Sequence, residues 1–147
     1  MARLATLPTR SVMFAIRHID HVVLRVNDVE AMVDFYCRVL GTKVERRRPD
    51  LGLVHLRAGA AQIDLVAIDG PLGRQGGAAP GAEGRNLDHF CLRIEPFNSA
   101  AIAAHLKANG VAAGEIKPRF GADGIGPSMY VTDPEGNVVE LKGPPDK

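Results

Sequence analysis

Two histidines open the case for chemistry in this chain. His21 lies in Ile19-Asp20-His21-Val22-Val23-Leu24-Arg25-Val26, and His89 lies in Leu87-Asp88-His89-Phe90-Cys91-Leu92-Arg93-Ile94. Asp, His, Leu and Arg recur at equivalent positions, and both segments have the β-branched and aromatic content of strands. In a strand, residues two apart share a face. His21, Val23 and Arg25 therefore oppose Val22, Leu24 and Val26, while His89, Cys91 and Arg93 oppose Phe90, Leu92 and Ile94. Later strands carry a carboxylate on the same side as the histidine: Asp64 in Gln62-Ile63-Asp64-Leu65-Val66, and Glu140 in Val138-Val139-Glu140-Leu141-Lys142. Two imidazoles with one or two carboxylates in a cavity suit a borderline divalent cation, and Ni, Zn, Co, Mn and Fe all accept such donors. His21, His89, Glu140 and Asp64 are the candidate ligands, with Glu140 or Asp64 available to move a proton. Arg25, Arg93 and Arg119 are candidate anchors for a carboxylate or phosphate on a small-molecule substrate, because a guanidinium fork matches such anions.

The surrounding elements must hold those side chains. Val29, Met32, Val33, Tyr36 and Leu40 form one apolar stripe, predicting a helix from Val29 to Leu40 with Asn27 as cap, Glu30 completing a capping box and Gly41 as stop. A second, alanine-rich helix centres on Ile102 and Leu106 and ends at Asn109-Gly110. Strands are expected near 43–48, 52–58 and 62–68, then near 111–116, 128–132 and 137–142. Each half thus reads β-α-β-β-β, and duplication explains the agreement in pattern and in following structure. The fold class expected is α+β. Residues 1–18 form an extension, 19–69 a first module, 70–86 a Gly/Pro-rich linker and 87–143 a second module. The glycine-rich stretch 118–127 reads as a loop. His55 and His105 have no counterpart in the repeat and read as surface or cavity-edge residues; Cys91 reads as a small buried apolar one.

Composition removes whole classes. The 147 residues carry 18 Lys+Arg against 17 Asp+Glu, too balanced for a nucleic-acid footprint. No apolar run approaches the ~20 residues of a membrane span. Two cysteines suit neither a disulfide scaffold nor a Cys-rich zinc module and point to a reduced, cytoplasmic setting. Residues 1–18 contain Arg3, Arg10 and Arg17 and one acid-free run before Asp20; this resembles a transit peptide, though an extension with little structure is the simpler reading, and Met13 is an alternative start.

Three segments together resemble the vicinal oxygen chelate superfamily, which includes glyoxalase I, fosfomycin-resistance thiol transferases, extradiol dioxygenases and bleomycin-resistance proteins. They are Ile19 to Val26, Asp34-Phe35-Tyr36-Cys37-Arg38-Val39-Leu40-Gly41, and Tyr130 to Leu141 with its Asp133-Pro134-Glu135-Gly136-Asn137 turn. The resemblance is nearest to small glyoxalase-domain proteins. It implies paired βαβββ modules curled around a metal, with His21, His89 and Glu140 as ligands and Asp64 where glyoxalase I carries a glutamate. It further implies a homodimer and chelation of neighbouring substrate oxygens in a glyoxalase-type isomerase or lyase reaction. An Fe(II) dioxygenase, a thiol transferase and a non-catalytic binding module are the alternatives. Metal-free drug-binding members lack the His/His/Glu set.

Overall fold

The computed structural model describes residues 15–146, so the N-terminal extension lies almost wholly outside the described residues. Each half folds as the repeat predicts. β1 (His21–Val26) leads into α1 (Val29–Asp34), then β2 (Lys43–Arg48), β3 (Leu53–Ala58) and β4 (Ala61–Ala67). The second half runs β5 (Phe90–Arg93), α2 (Ser99–Ala108), β6 (Lys117–Gly121), β7 (Gly124–Thr132) and β8 (Val138–Lys142). The sheets have matching orders, β1-β4-β3-β2 and β5-β8-β7-β6, with the first and last strands of each module parallel neighbours. Among the described residues no helix is long and apolar enough to cross a membrane.

The helix-facing sides of both sheets share one core. Leu24, Met32, Tyr36, Leu56, Ile63 and Leu65 of the first module join Leu106, Met129, Val131, Val139 and Leu141 of the second. Truncating a fully buried leucine such as Leu56 or Leu65 to alanine costs about 2–5 kcal/mol. Tyr36 crosses between modules: its ring stacks near Phe90 at 6.4 Å, and its hydroxyl donates to Asp133 Oδ2 at 2.8 Å. Asp133 Oδ1 also accepts the amides of Glu135 and Asn137 at 2.9 Å, shaping a turn in which Gly136 has φ +86°. The Glu135 carboxylate then reaches back to the amides of Asn27 and Asp28, at 2.7 and 2.9 Å. The Phe-Tyr and Asp-Pro-Glu-Gly-Asn motifs are thus two halves of one inter-module latch.

Three local expectations need correction. The cap of α1 is Asp28, one residue later, which accepts the Ala31 amide at 3.0 Å, while the Asn27 side-chain amide donates to Glu135. The first helix does not run on regularly to Leu40; after Asp34 it widens into a π-helical turn, Phe35–Val39, before Gly41 stops it at φ +79°. Residues 111–116 are not a strand, whereas 118–127 form most of the β6–β7 hairpin. Pro118 is tolerated because β6 is an edge strand, where a missing amide costs no ladder bond. Gly121 and Gly124 close the hairpin around Ala122 and Asp123.

Candidate metal centre

The faces turned away from the shared core carry the predicted chemistry. Register makes the two modules equivalent: Asp64 lies beside Val23, two residues after His21, and Glu140 lies beside Cys91, two residues after His89. The next strand inward from each carboxylate contributes His55 opposite Asp64 and Tyr130 opposite Glu140.

In the second module, His89 Nε2 stands 3.4 Å from Glu140 Oε2 without a hydrogen bond between them. Glu140 is only 7% exposed, and its Oε1 is buried with no hydrogen-bond partner. Two donors held ~2.0–2.2 Å from one ion stand roughly 3.0–3.4 Å apart, so this pair has the spread of two ligands of a common cation. The other ring nitrogen, Nδ1, donates to Asp88. The first module repeats the device: His21 Nδ1 lies 2.7 Å from Asp20 Oδ1. A carboxylate on Nδ1 fixes the ring and leaves Nε2 as the free lone pair, the usual support of a metal-binding histidine. The same bond raises the His21 pKa above the ordinary imidazole value and lowers that of Asp20.

Asp64 is oriented differently. It is 5% exposed and lies against His55, Nδ1 to Oδ1 at 3.1 Å, with neither atom in hydrogen-bonding geometry. His55, expected at a cavity edge, is therefore a half-buried partner of Asp64. His105 Nε2 donates to Val39 O at 2.8 Å and ties the two helices together.

The four candidate ligands do not converge within one chain. Among the described residues no three His, Cys, Asp or Glu side chains gather around a common point. His21 and His89 do line one groove of about 500 Å³, with Gln62, Phe90 and Cys91 between them. The donor types and their Nδ1 supports fit a divalent ion, and the arrangement supplies them in two parts: His89 with Glu140, and His21 on the other sheet.

The structure also sorts the three arginines. Arg25 wraps the linker, donating to the carbonyls of Gly73, Gly77 and Ala78 at 2.8–2.9 Å, which removes it from the position of a substrate anchor. Arg93 is paired with Glu95 at 2.9 Å and Asp123 at 3.2 Å. Arg119 has no carboxylate partner among the described residues; it lies 4.5 Å over the Tyr130 ring and donates to Ser128 O and Oγ at 2.8 Å. Tyr130 also meets the His89 ring edge-on at 5.4 Å. Cys91, expected to be buried, is instead an exposed residue of the groove lined by His21 and His89; partial desolvation and the Glu140 charge push its thiol up to about 11, so it remains protonated at neutral pH. Asp20, Asp88 and Tyr130 carry no role in the sequence reading, which puts His55 only at a surface or cavity edge. The repeated Asp-His pair was a usable signal for the first two, whereas the others emerge only from cross-strand register.

A family model for the glyoxalase/bleomycin resistance protein/dioxygenase superfamily matches residues 18–141. The chain belongs to that superfamily. A catechol-2,3-dioxygenase of Bacillus subtilis is 26% identical over 125 residues, covering 84% of this chain and 40% of that enzyme. The chain thus spans about two fifths of that superfamily relative's length. A trivalent organoarsenical cleaving enzyme of Thermomonospora curvata is 29% identical, with 80% and 72% covered. A virulence protein of Salmonella typhimurium is 28% identical over 89% of this chain and 87% of its own. Its crystal structure superposes with a TM-score of 0.73, covering 89% and 99% of the two chains at 24% identity in the structural alignment, and confirms the glyoxalase-like α+β fold.

Proposed function

We propose that this protein is a divalent-metal-dependent enzyme acting on a small molecule with neighbouring oxygens. The observation that carries the reading is the His89–Glu140 pair, spaced as two ligands and backed by Asp88, with an unbonded buried carboxylate oxygen. His21, with its matching Asp20, is the third donor. A bound divalent ion would polarise the substrate's adjacent oxygens as a Lewis acid. The chain's own residues then orient the substrate and carry the proton. Glu140 Oε1 and Asp64 Oδ1 are the buried carboxylate oxygens available to move a proton between adjacent carbons in a glyoxalase-type isomerase or lyase reaction. Arg119 is the anchor for an anionic group; Arg93 contributes only by releasing Glu95 or Asp123.

The site is completed by a homodimer in which a second copy brings His21 to the His89–Glu140 pair. An exposed apolar residue supports this: Val23, between His21 and Arg25 on the open face, is 46% exposed. A specific observation favours a second catalytic reading. Asp64 faces His55, leaving a two-His, one-carboxylate set with open positions, the pattern of Fe(II) oxygenases. Protein purified from its own host is assayed for metal and screened with hemithioacetals and with catechols under an oxygen electrode. Nickel, zinc or cobalt with hemithioacetal turnover supports the first reading; iron with oxygen uptake supports the second. A protein that retains no divalent metal and turns over neither class is a binding module instead.

A further inference from the structure

A lysine on the outward side of an open sheet should be solvated, yet Lys142 is 5% exposed. It follows Glu140 by two residues on β8 and so stands on the same side of the sheet. What covers it is the β6–β7 hairpin. A Cβ at Gly121 would come within 2.6 Å of Lys142 Cε, so glycine is what lets the hairpin lie against that stem. Lys142 Nζ then donates to the carbonyls of Arg119 and Gly126, at 2.6 and 3.3 Å. The tip reaches further still. In sheet order β5 and β6 are opposite edges with β8 and β7 between them, yet Asp123 at the turn meets Arg93 of β5, Oδ2 to Nε at 3.2 Å. The hairpin is therefore folded across the outward side of its own sheet at the Lys142 end.

Polar contacts hold it there. Among the described residues none from 117 to 126 belongs to the shared core, and Phe120 and Ile125, opposite each other on the hairpin, are 82% and 54% exposed. The β6–β7 ladder and the Asp146 amide on Ile125 O keep the hairpin intact as a unit. Only the Lys142 bonds and the water-exposed Arg93–Asp123 pair close it over the sheet. Segments with so few buried apolar contacts are the ones that open locally, well below the free energy of global unfolding.

We infer that the β6–β7 hairpin is a hinged flap over the Lys142 end of the outward side, pivoting where β7 enters the core at Met129 and clasped shut by Arg93 and Asp123. A molecule approaching Glu140 from that end passes only when the clasp parts. This deepens the proposed function, since it rests on the His89–Glu140 side being where substrate binds, but the flap stands or falls without metal or substrate. Arg93 and Asp123 are positioning residues in this device. Losing an exposed ion pair of this kind multiplies the open population about two- to fivefold.

The test is the rate at which acetic anhydride acetylates Lys142 in the full chain without added metal or substrate, read by peptide mass spectrometry. The exposed Lys43 and Lys107 serve as references. Wild type, Asp123→Ala, Arg93→Met and the double variant are compared, with amide exchange of β1 followed in each. In wild type Lys142 reacts about tenfold or more slowly than the references. Asp123→Ala and Arg93→Met each speed Lys142 alone about two- to fivefold, and the double variant is no faster than either, because both remove one contact. Exchange in β1 stays as in wild type. Lys142 reacting as fast as the references overturns the flap, and an unchanged rate in both single variants overturns the clasp. A faster rate matched by faster exchange in β1 marks general loosening and overturns it as well. None of these readings depends on whether the metal centre stands.

Discussion

At the scale of single residues, the instructive feature is the carboxylate that precedes each histidine. Asp20 and Asp88 are exposed and would pass for surface acids, yet each holds the Nδ1 of its neighbour. Removing such a support typically weakens metal binding by about 10–100-fold. Asp88→Ala is therefore expected to lower affinity for Zn or Co by that factor in equilibrium dialysis, with fold unchanged by circular dichroism, whereas His89→Ala abolishes retention. The raised pKa of His21 sets the direction of a pH effect. A proton and a metal compete for the ring, so metal retention falls as pH drops through the imidazole range, and the higher His21 basicity moves that loss to higher pH. Asp20→Asn, which removes the hydrogen bond that raises it, lowers the His21 pKa toward the ordinary imidazole value, as an NMR titration of the metal-free protein reads directly. His55 shows what sequence alone conceals. Its type was legible, but its partner Asp64 is set by strand register, which has no local signature.

At the scale of elements, the inter-module latch concentrates stability in a few polar atoms. Asp133 accepts from Tyr36, Glu135 and Asn137 at once, and it is 4% exposed. Asp133→Ala would leave the Tyr36 hydroxyl and two turn amides without their acceptor, at a cost of about 1–3 kcal/mol for each buried group left unpaired. Urea denaturation should show a fall in stability of at least that size, while Tyr36→Phe, which removes only the hydroxyl, costs less. The elements themselves were largely readable. The stripe from Val29 to Leu40 and the stops at Gly41 and Gly110 appear where periodicity and left-handed turns require them, with φ +79° and +68° at the glycines. The 118–127 hairpin was not readable, because Gly and Pro ordinarily punctuate and nothing local marks β6 as the edge strand that accepts Pro118. Asn27 matched a cap by residue type, but its side chain bonds Glu135, more than a hundred positions away, and Asp28 is the cap.

At the scale of the molecule, the proposed ligands are divided between two open sheets while both helices serve one core. If His21 of one copy meets His89 and Glu140 of another, two dead variants can repair each other. His21→Ala and His89→Ala, mixed through a refolding step, form heterodimers with one intact centre of two. Random pairing then restores about a quarter of wild-type metal content. Sites built within a single chain would regain none, and that result would return the pairing to one protomer. The open faces also explain how much of the proposed centre was legible: the repeat marked the candidate donors and their side of each sheet, whereas what closes over them depends on surfaces that no single strand encodes.

The latch ties each module to changes in the other. A change at Tyr36 is felt at Asp133, so an alteration inside one module is passed to its neighbour along their common interior. On the outward faces the modules differ in kind, one holding His55 and Asp64 where the other holds Tyr130 and Glu140. A substitution there is answered across strands of its own sheet, which makes the two faces separable targets for redesign.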